Sequence, residues 1–128
     1  MKNTHLKQIK IFKELKELGY IHYYSDAIEE LDDLPLNSTK RISEQALVLR
    51  WFRYEHLLEG LILPQVQSML APTPAYFIAV ISYKDEKWEE KFNSSNNKDE
   101  KNFLHYGTYE EAELACLNKL IEIYRDLN

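Results

Sequence analysis

Between Gly60 and Tyr83 the chain carries no charged residue. The end of that stretch, Ala75-Tyr76-Phe77-Ile78-Ala79-Val80-Ile81-Ser82-Tyr83, is almost wholly apolar, β-branched or aromatic. Such a run reads as a central β-strand that must be covered on at least one face. It does not read as a membrane span. A spanning helix needs roughly 20 mostly apolar residues in a row, and here Pro64, Gln65, Gln67, Ser68, Pro72, Thr73 and Pro74 leave two short apolar pieces around a turn at Ala71 to Pro74. With its proline and weak alternation, Leu61 to Leu70 is at best an edge strand. After a charged hairpin loop at Lys84-Asp85-Glu86, Lys87 to Phe92 continues as a strand with Trp88, Glu90 and Phe92 on one side. Asn93 to Asn102 is polar and low in complexity. Phe103 to Tyr106 reads as a further short strand.

The sequences on either side have helical periodicity. Leu6, Ile9, Phe12, Leu15 and Leu18 mark a first helix from near His5 to Leu18, with Thr4 as its cap and Gly19 in the position after its end. Tyr20 to Tyr24 is short and aromatic. A second helix capped by Ser25 or Asp26 would carry Ala27, Ile28, Leu31 and Leu34 and close at Pro35. Leu36 to Ile42 is a polar connector. The next helix starts at a Ser43 cap and ends at Gly60. Leu47, Trp51, Tyr54 and Leu58 fall on one narrow stripe at about 100° per residue, with Val48 and Phe52 to one side. The last helix opens on a capping box, Thr108-Tyr109-Glu110-Glu111. Its apolar arc (Leu114, Leu117, Leu120, Ile121, Ile123, Tyr124 and Leu127) is wide enough to pack on the sheet and on a second helix or subunit.

These elements predict an α+β fold. It has a three- or four-stranded, mostly antiparallel sheet, an N-terminal helical part and a long C-terminal helix packed on the sheet. We read residues 1–128 as one domain, helical over 1–42 and helix-strands-helix over 43–128. The helix starting at Ser43 and the last helix should cover one sheet face, with Trp51, Leu58, Ile78, Val80, Leu117 and Ile121 in the core. The first helices either cover the other face or form a helical subdomain.

The composition excludes more than it selects. In 128 residues, 45% are hydrophobic and 29% charged, which suits a globular domain and excludes disordered or collagen-like chains. The formal net charge of -5 does not invite nucleic acid or an anionic membrane. Cys116 is the single cysteine, so no intrachain disulfide can form. The start, Met1 to Lys7, lacks the apolar core of a signal peptide, since charges recur every few residues. Both features point to a reducing, cytoplasmic compartment.

No arrangement of residues carries recognisable chemistry. His5, His22, His56 and His105 are scattered. His56 and Glu59 sit three apart, but further metal ligands are missing. Cys116 lies mid-helix, where no free backbone N–H stabilises a thiolate, and reads as an inert buried thiol. The three glycines are too far apart for a phosphate loop, and no serine sits in a nucleophile elbow. The acidic run Glu29-Glu30-Leu31-Asp32-Asp33 reads as a solvated helix face. We therefore assign no catalytic, cofactor-binding or metal-binding residue. A site assembled across the fold would be sought near His56, Glu59 and His105.

Two features bear on contact with partners. Tyrosine, with nine residues, is the one compositional excess, and Tyr20, Tyr23 and Tyr24 cluster. Tyrosine suits contact surfaces because it buries a ring and keeps a polar tip, although half-buried packing is its ordinary role. Lys40, Arg41, Arg50 and Arg53 form a modest basic group, which either meets an anionic partner or pairs with Glu44, Glu55 and the acidic run. The candidate partner contact is Tyr23, Tyr24, Arg50 and Arg53.

From Ser43 to the end, the order helix, three strands, helix resembles the double-stranded RNA-binding domain. There the second helix opens on Lys-Lys-x-Ala-Lys, whose lysines grip phosphates. Here the corresponding residues are Tyr109-Glu110-Glu111-Ala112-Glu113, with carboxylates or no charge in place of the cations. The segment Thr108 to Ile123 is also similar to the C-terminal helix of a family of small uncharacterised Bacteroidetes proteins often found in prophage or mobile-element regions. Leu15 to Tyr20, Leu34-Pro35-Leu36, Gln45-Ala46-Leu47 and Trp51-Phe52-Arg53 resemble other parts of that family. The resemblance implies a bacterial or phage cytoplasmic setting, with no activity and no functional residues attached. The function expected is that of a non-catalytic accessory protein acting through protein–protein contacts, self-association included. The alternative is nucleic-acid binding through the RNA-binding-like topology.

Overall fold

The computed structural model describes residues 10–20, 28–66, 74–94 and 106–127. The elements are α1 (Ile11–Glu17), a 3₁₀ turn (Ile28–Asp33), α2 (Thr39–His56), β1 (Leu58–Val66), β2 (Pro74–Lys84), β3 (Lys87–Asn93) and α3 (Tyr109–Leu127). The strands form an antiparallel sheet in the order β1-β2-β3. The fold is α+β, as the change of period from helix to strand and back predicts.

Antiparallel pairing decides which residues meet the helices. Leu58, Gly60 and Ile62 of β1 lie opposite Ser82, Val80 and Ile78 of β2. Leu58, Ile78 and Val80 join Leu114, Leu117, Leu120 and Ile121 of α3 in the core. The helical layer packs closely at Gly60, where a Cβ would stand 2.8 Å from Cys116 Sγ and 2.9 Å from Leu120 Cδ1. The α2 and α3 helices both pack on the sheet and on each other. The α1 helix also rests against α3, so it thickens the helical layer and does not cover the other sheet face. A bulge between Val80 and Ile81 places Phe92 opposite Val80 while Glu90 opposes Ile81 and Trp88 opposes Tyr83. Phe92 therefore turns to the helices, where Lys119 Nζ stands 4.4 Å above its ring. Simple alternation had put Trp88, Glu90 and Phe92 together; the extra residue moves Phe92 to the opposite face. Past the end of β3, the Ile78 N–H donates to the buried Ser94 hydroxyl at 2.9 Å, which satisfies a backbone donor the ladder has left.

The helix boundaries depart from the sequence expectation. The α2 helix is capped by Ser38, whose side chain accepts from the Arg41 N–H, and it ends at Leu57 in the left-handed region (φ 55°). Ser43 lies inside the helix, and Gly60 is in β1. The supposed connector therefore supplies the first turn of α2, because Ser38-Thr39 caps as well as Ser43 does. The predicted second helix is a 3₁₀ turn over its described part. Of the last predicted strand, only Tyr106 lies within the described residues, as an isolated bridge to Tyr76. Gly19 follows the α1 C-cap at φ 102°, a conformation glycine adopts without cost. The capping box of α3 is formed: the Glu111 N–H donates to Thr108 Oγ1 at 3.2 Å. The proposed Thr4 cap, the Ser25 or Asp26 cap, the turn at residues 71–73 and the residues Phe103 to His105 lie outside the described residues.

The acidic run is not simply a solvated face. Asp32 is buried, and its two carboxylate oxygens each accept a backbone N–H of α1, from Phe12 and Lys13, at 3.0 Å. No side chain of α1's own N-cap does this, so a residue some twenty positions later caps the start of the helix. Arg41, 1% exposed, binds the same turn: its Nη1 donates to the carbonyls of Leu34 at 2.8 Å and Asp32 at 3.3 Å. Its Nε donates to Gln45 Oε1 at 2.9 Å, and Gln45 Nε2 donates to Glu113 Oε1 of α3 at 2.7 Å. The chain of bonds runs from the α1 end of the molecule, through α2, to α3. By contrast Lys119–Glu122 and Lys91–Glu89 are surface pairs, where solvent screening leaves little net stabilisation.

Three stability outcomes follow. Arg41→Ala leaves buried acceptors unpaired and is expected to cost about 3–5 kcal/mol in denaturant unfolding. Asp32→Ala should cost about 1.5–3 kcal/mol, through the loss of two hydrogen bonds to a charged acceptor. Gly60→Ala should cost about 1–3 kcal/mol by overpacking against Cys116 and Leu120, and a combined Gly60→Ala, Cys116→Ala variant should recover part of it.

Candidate functional site

With Arg41, Glu44, Gln45, Val48 and Phe52 turned inward, the predicted core stripe of α2 faces elsewhere. Leu47 and Trp51 are half-buried, and Tyr54 is 71% exposed, the highest value among the large hydrophobic residues described. Leu58 is in the core, but as a residue of β1. The stripe was correctly periodic and wrongly oriented. Leu47, Arg50, Trp51 and Tyr54 follow the i, i+3, i+4, i+7 spacing of one helix face. With Glu55 and the α1 end at Gly19 and Tyr20 they line a cleft of about 470 Å³.

The floor of the cleft is held from behind. Trp51 packs edge-to-face on Tyr20 (centroids 5.4 Å) and on His56 (4.5 Å). His56 in turn lies 4.3 Å from the Tyr124 ring of α3. The Tyr20 hydroxyl donates to the buried Glu44 carboxylate. Aromatic pairs of this geometry contribute about 0.5–1.5 kcal/mol beyond their burial, enough to hold the indole in one orientation.

The candidate contact residues separate. Arg50 is exposed on the cleft wall, with no ion pair among the described residues. Arg53 is held by Glu59 of β1 through two contacts of 2.7 Å, and its guanidinium lies 5.8 Å from the Tyr54 ring centroid. Tyr23 and Tyr24 lie outside the described residues. The basic group does not form one patch, because Arg41 is buried. The sequence reading missed the cleft, although its signal was present: an aromatic stripe beside a helix face rich in polar side chains.

The groups first considered for chemistry do not converge. Glu59 is occupied by Arg53, while His56 packs among aromatic rings; His105 lies outside the described residues. The Cys116 thiol is buried, and burial pushes it up to about 12, so it stays protonated. Among the described residues no group of three His, Cys, Asp or Glu could hold a metal ion. None of the described helices is long and apolar enough to cross a membrane. A second hollow, between Glu14 and the residues Asn118, Ile121, Glu122, Arg125 and Asp126, is smaller, and the Arg125–Glu14 pair at 2.8 Å spans it.

Burial holds the His56 imidazole below its ordinary range, only partly offset by the Glu55 charge. Its Nε2 is buried without a hydrogen-bond partner among the described residues. The folded state therefore favours neutral imidazole, and the unfolded chain binds the proton more readily. That stabilising contribution is full above pH about 6.5 and declines as pH falls from there through the folded-state value. Relative to a His56→Phe variant, the wild type should lose unfolding free energy between neutral pH and pH about 5, as measured by urea titration at each pH.

No family model matches the chain, and no curated protein or solved structure matches it at significance.

Proposed function

We propose that this chain is a non-catalytic accessory protein that works by binding another polypeptide in the cleft between α1 and α2, in the cytoplasm of a bacterium or from a prophage or mobile element. The observation that carries this reading is the outward orientation of the Leu47–Trp51–Tyr54 stripe. A solvent-facing tyrosine and a half-buried tryptophan at helical spacing, anchored from behind and flanked by an arginine with no ion pair among the described residues, have the composition of a contact surface. An interior-facing stripe would need no such arrangement. Arg50 favours an acidic group on whatever enters. Duplex RNA fits less well. The first turn of α3 carries Glu110 and Glu111, and carboxylates there repel phosphates.

A photo-crosslinking residue at Tyr54 tests this in the native host. We expect adducts with a polypeptide at Tyr54 and at Leu47, none at Glu122 on α3, and loss of the Tyr54 adduct on Arg50→Glu. Absence of polypeptide adducts from the stripe, or equal labelling at Glu122, overturns the reading.

A further inference from the structure

We infer that His56 is a proton-operated latch behind the cleft: the neutral imidazole props Trp51, and on taking up a proton it swings out to solvent and frees the indole. The inference concerns the floor of the cleft and holds whatever the cleft receives. His56 is the last residue of α2 and the one histidine among the described residues. Its ring centroid lies 4.5 Å from that of Trp51, 6.1 Å from that of Phe52 and 4.3 Å from that of Tyr124 on α3. Trp51 and Tyr124 are themselves 6.3 Å apart, so the imidazole fills the corner between the cleft floor and α3. Its Nε2, buried there, has no hydrogen-bond partner among the described residues. Both nitrogens of an imidazolium carry a proton, and a buried charged donor without an acceptor is strongly disfavoured. The surrounding ring faces attract a cation, but they offer no carbonyl or carboxylate to receive its N–H.

Outside the corner the charged ring is well placed. The C-terminal end of a helix favours a cation, and the adjacent Glu55 is exposed, with its charge acting on the imidazole. The other elements packed nearby leave the ring no carboxylate. From α3 the Tyr124 phenol faces it, and the charges beside that residue are paired, Lys119 with Glu122 at 3.2 Å and Arg125 with Glu14 of α1 at 2.8 Å. Glu59 of β1 is bound by Arg53. At the α1 end, Tyr20 meets the far side of the cluster through Trp51 and gives its hydroxyl to Glu44. The displacement stays local. The α2 helix is fixed to the 3₁₀ turn and to α3 by Arg41, Gln45 and Val48, about two turns or more before His56. Trp51 is half-buried and leans on Tyr20 and His56, so it loosens while the rest of the helix holds.

Trp88, the other of the two tryptophans, is 58% exposed on β3, so a full-length Trp88→Phe chain reports Trp51 alone. Its emission wavelength and acrylamide quenching, followed from pH about 8 to pH about 4.5 beside far-ultraviolet circular dichroism, test the latch. We expect emission to move to longer wavelength and quenching to rise, with a midpoint below pH about 6.5, while the helical signal holds. His56→Phe keeps a ring and cannot titrate, so in that background the transition should vanish. His56→Lys carries a charge across the range, and there Trp51 should read as released throughout. The inference is overturned by the same transition in His56→Phe, by a Trp51 signal unchanged across the range, or by a change seen only as the helical signal collapses. Loss of intensity without a wavelength shift also overturns it, because the imidazolium would then have stayed beside the indole. Should either His56 variant fail to fold, the ring-proton titration of His56 by NMR in the Trp88→Phe chain decides. Coincidence with the Trp51 transition supports the latch, and a separate midpoint overturns it. Crosslinking at Tyr54 near neutral pH tests the binding reading independently, so the two can fail separately.

Discussion

Arg41 sits where three parts of the molecule meet, and the rest of the helical layer is arranged around it. Its Nη1 binds the carbonyls that close the 3₁₀ turn, the guanidinium lies 5.9 Å from the Phe12 ring centroid, and its Nε reaches through Gln45 to Glu113, while its Nη2 is buried with no hydrogen-bond partner among the described residues. A buried cation is costly without hydrogen bonds, and those made by Nη1 and Nε hold the turn, α2 and α3 in one register. Glu113, held above its ordinary range by burial and only partly relieved by Gln45, completes the far end. This polar chain selects one arrangement of helices among several that an apolar interface would accept.

The same chain explains why the aromatic stripe is exposed. A helix has one face toward the sheet and its neighbours, and on α2 that face is occupied by Arg41, Gln45, Val48 and Phe52. Leu47, Trp51 and Tyr54 sit about a third of a turn away and reach the rim. Trp51 is anchored there by Tyr20 and by the His56–Tyr124 pair, which hold the indole at the floor of the cleft. The burial of Arg41 and Gln45 beside Val48 and Phe52, and the outward position of Tyr54, are two results of a single rotation of the helix about its axis.

Much of the fold is legible in residue order because it depends on local chemistry. The charge-free run at Ala75 to Tyr83 could hardly be anything but a central strand, and Thr108 and Glu111 mark the start of α3 by a bond they make with each other. Gly19 is where α1 must end. The capping of α1 by Asp32 was not legible, since no local pattern links residues twenty positions apart. Nor was the inward turn of Arg41, since arginine is ordinarily a surface residue.

The residues by themselves determined the alternation of helices with an antiparallel sheet, the edge position of the Pro64 strand, and the lack of a recognisable chemical motif, because periodicity, capping and turn chemistry act within a few residues. Tertiary structure alone decided which face of α2 is buried, which acid caps the start of α1, and that Arg50 stands on a cleft while Arg53 is held by Glu59. Those outcomes depend on desolvation and on partners brought together by packing. The free energy of a buried polar group is set by what surrounds it in space, and nothing in its neighbours along the chain specifies that.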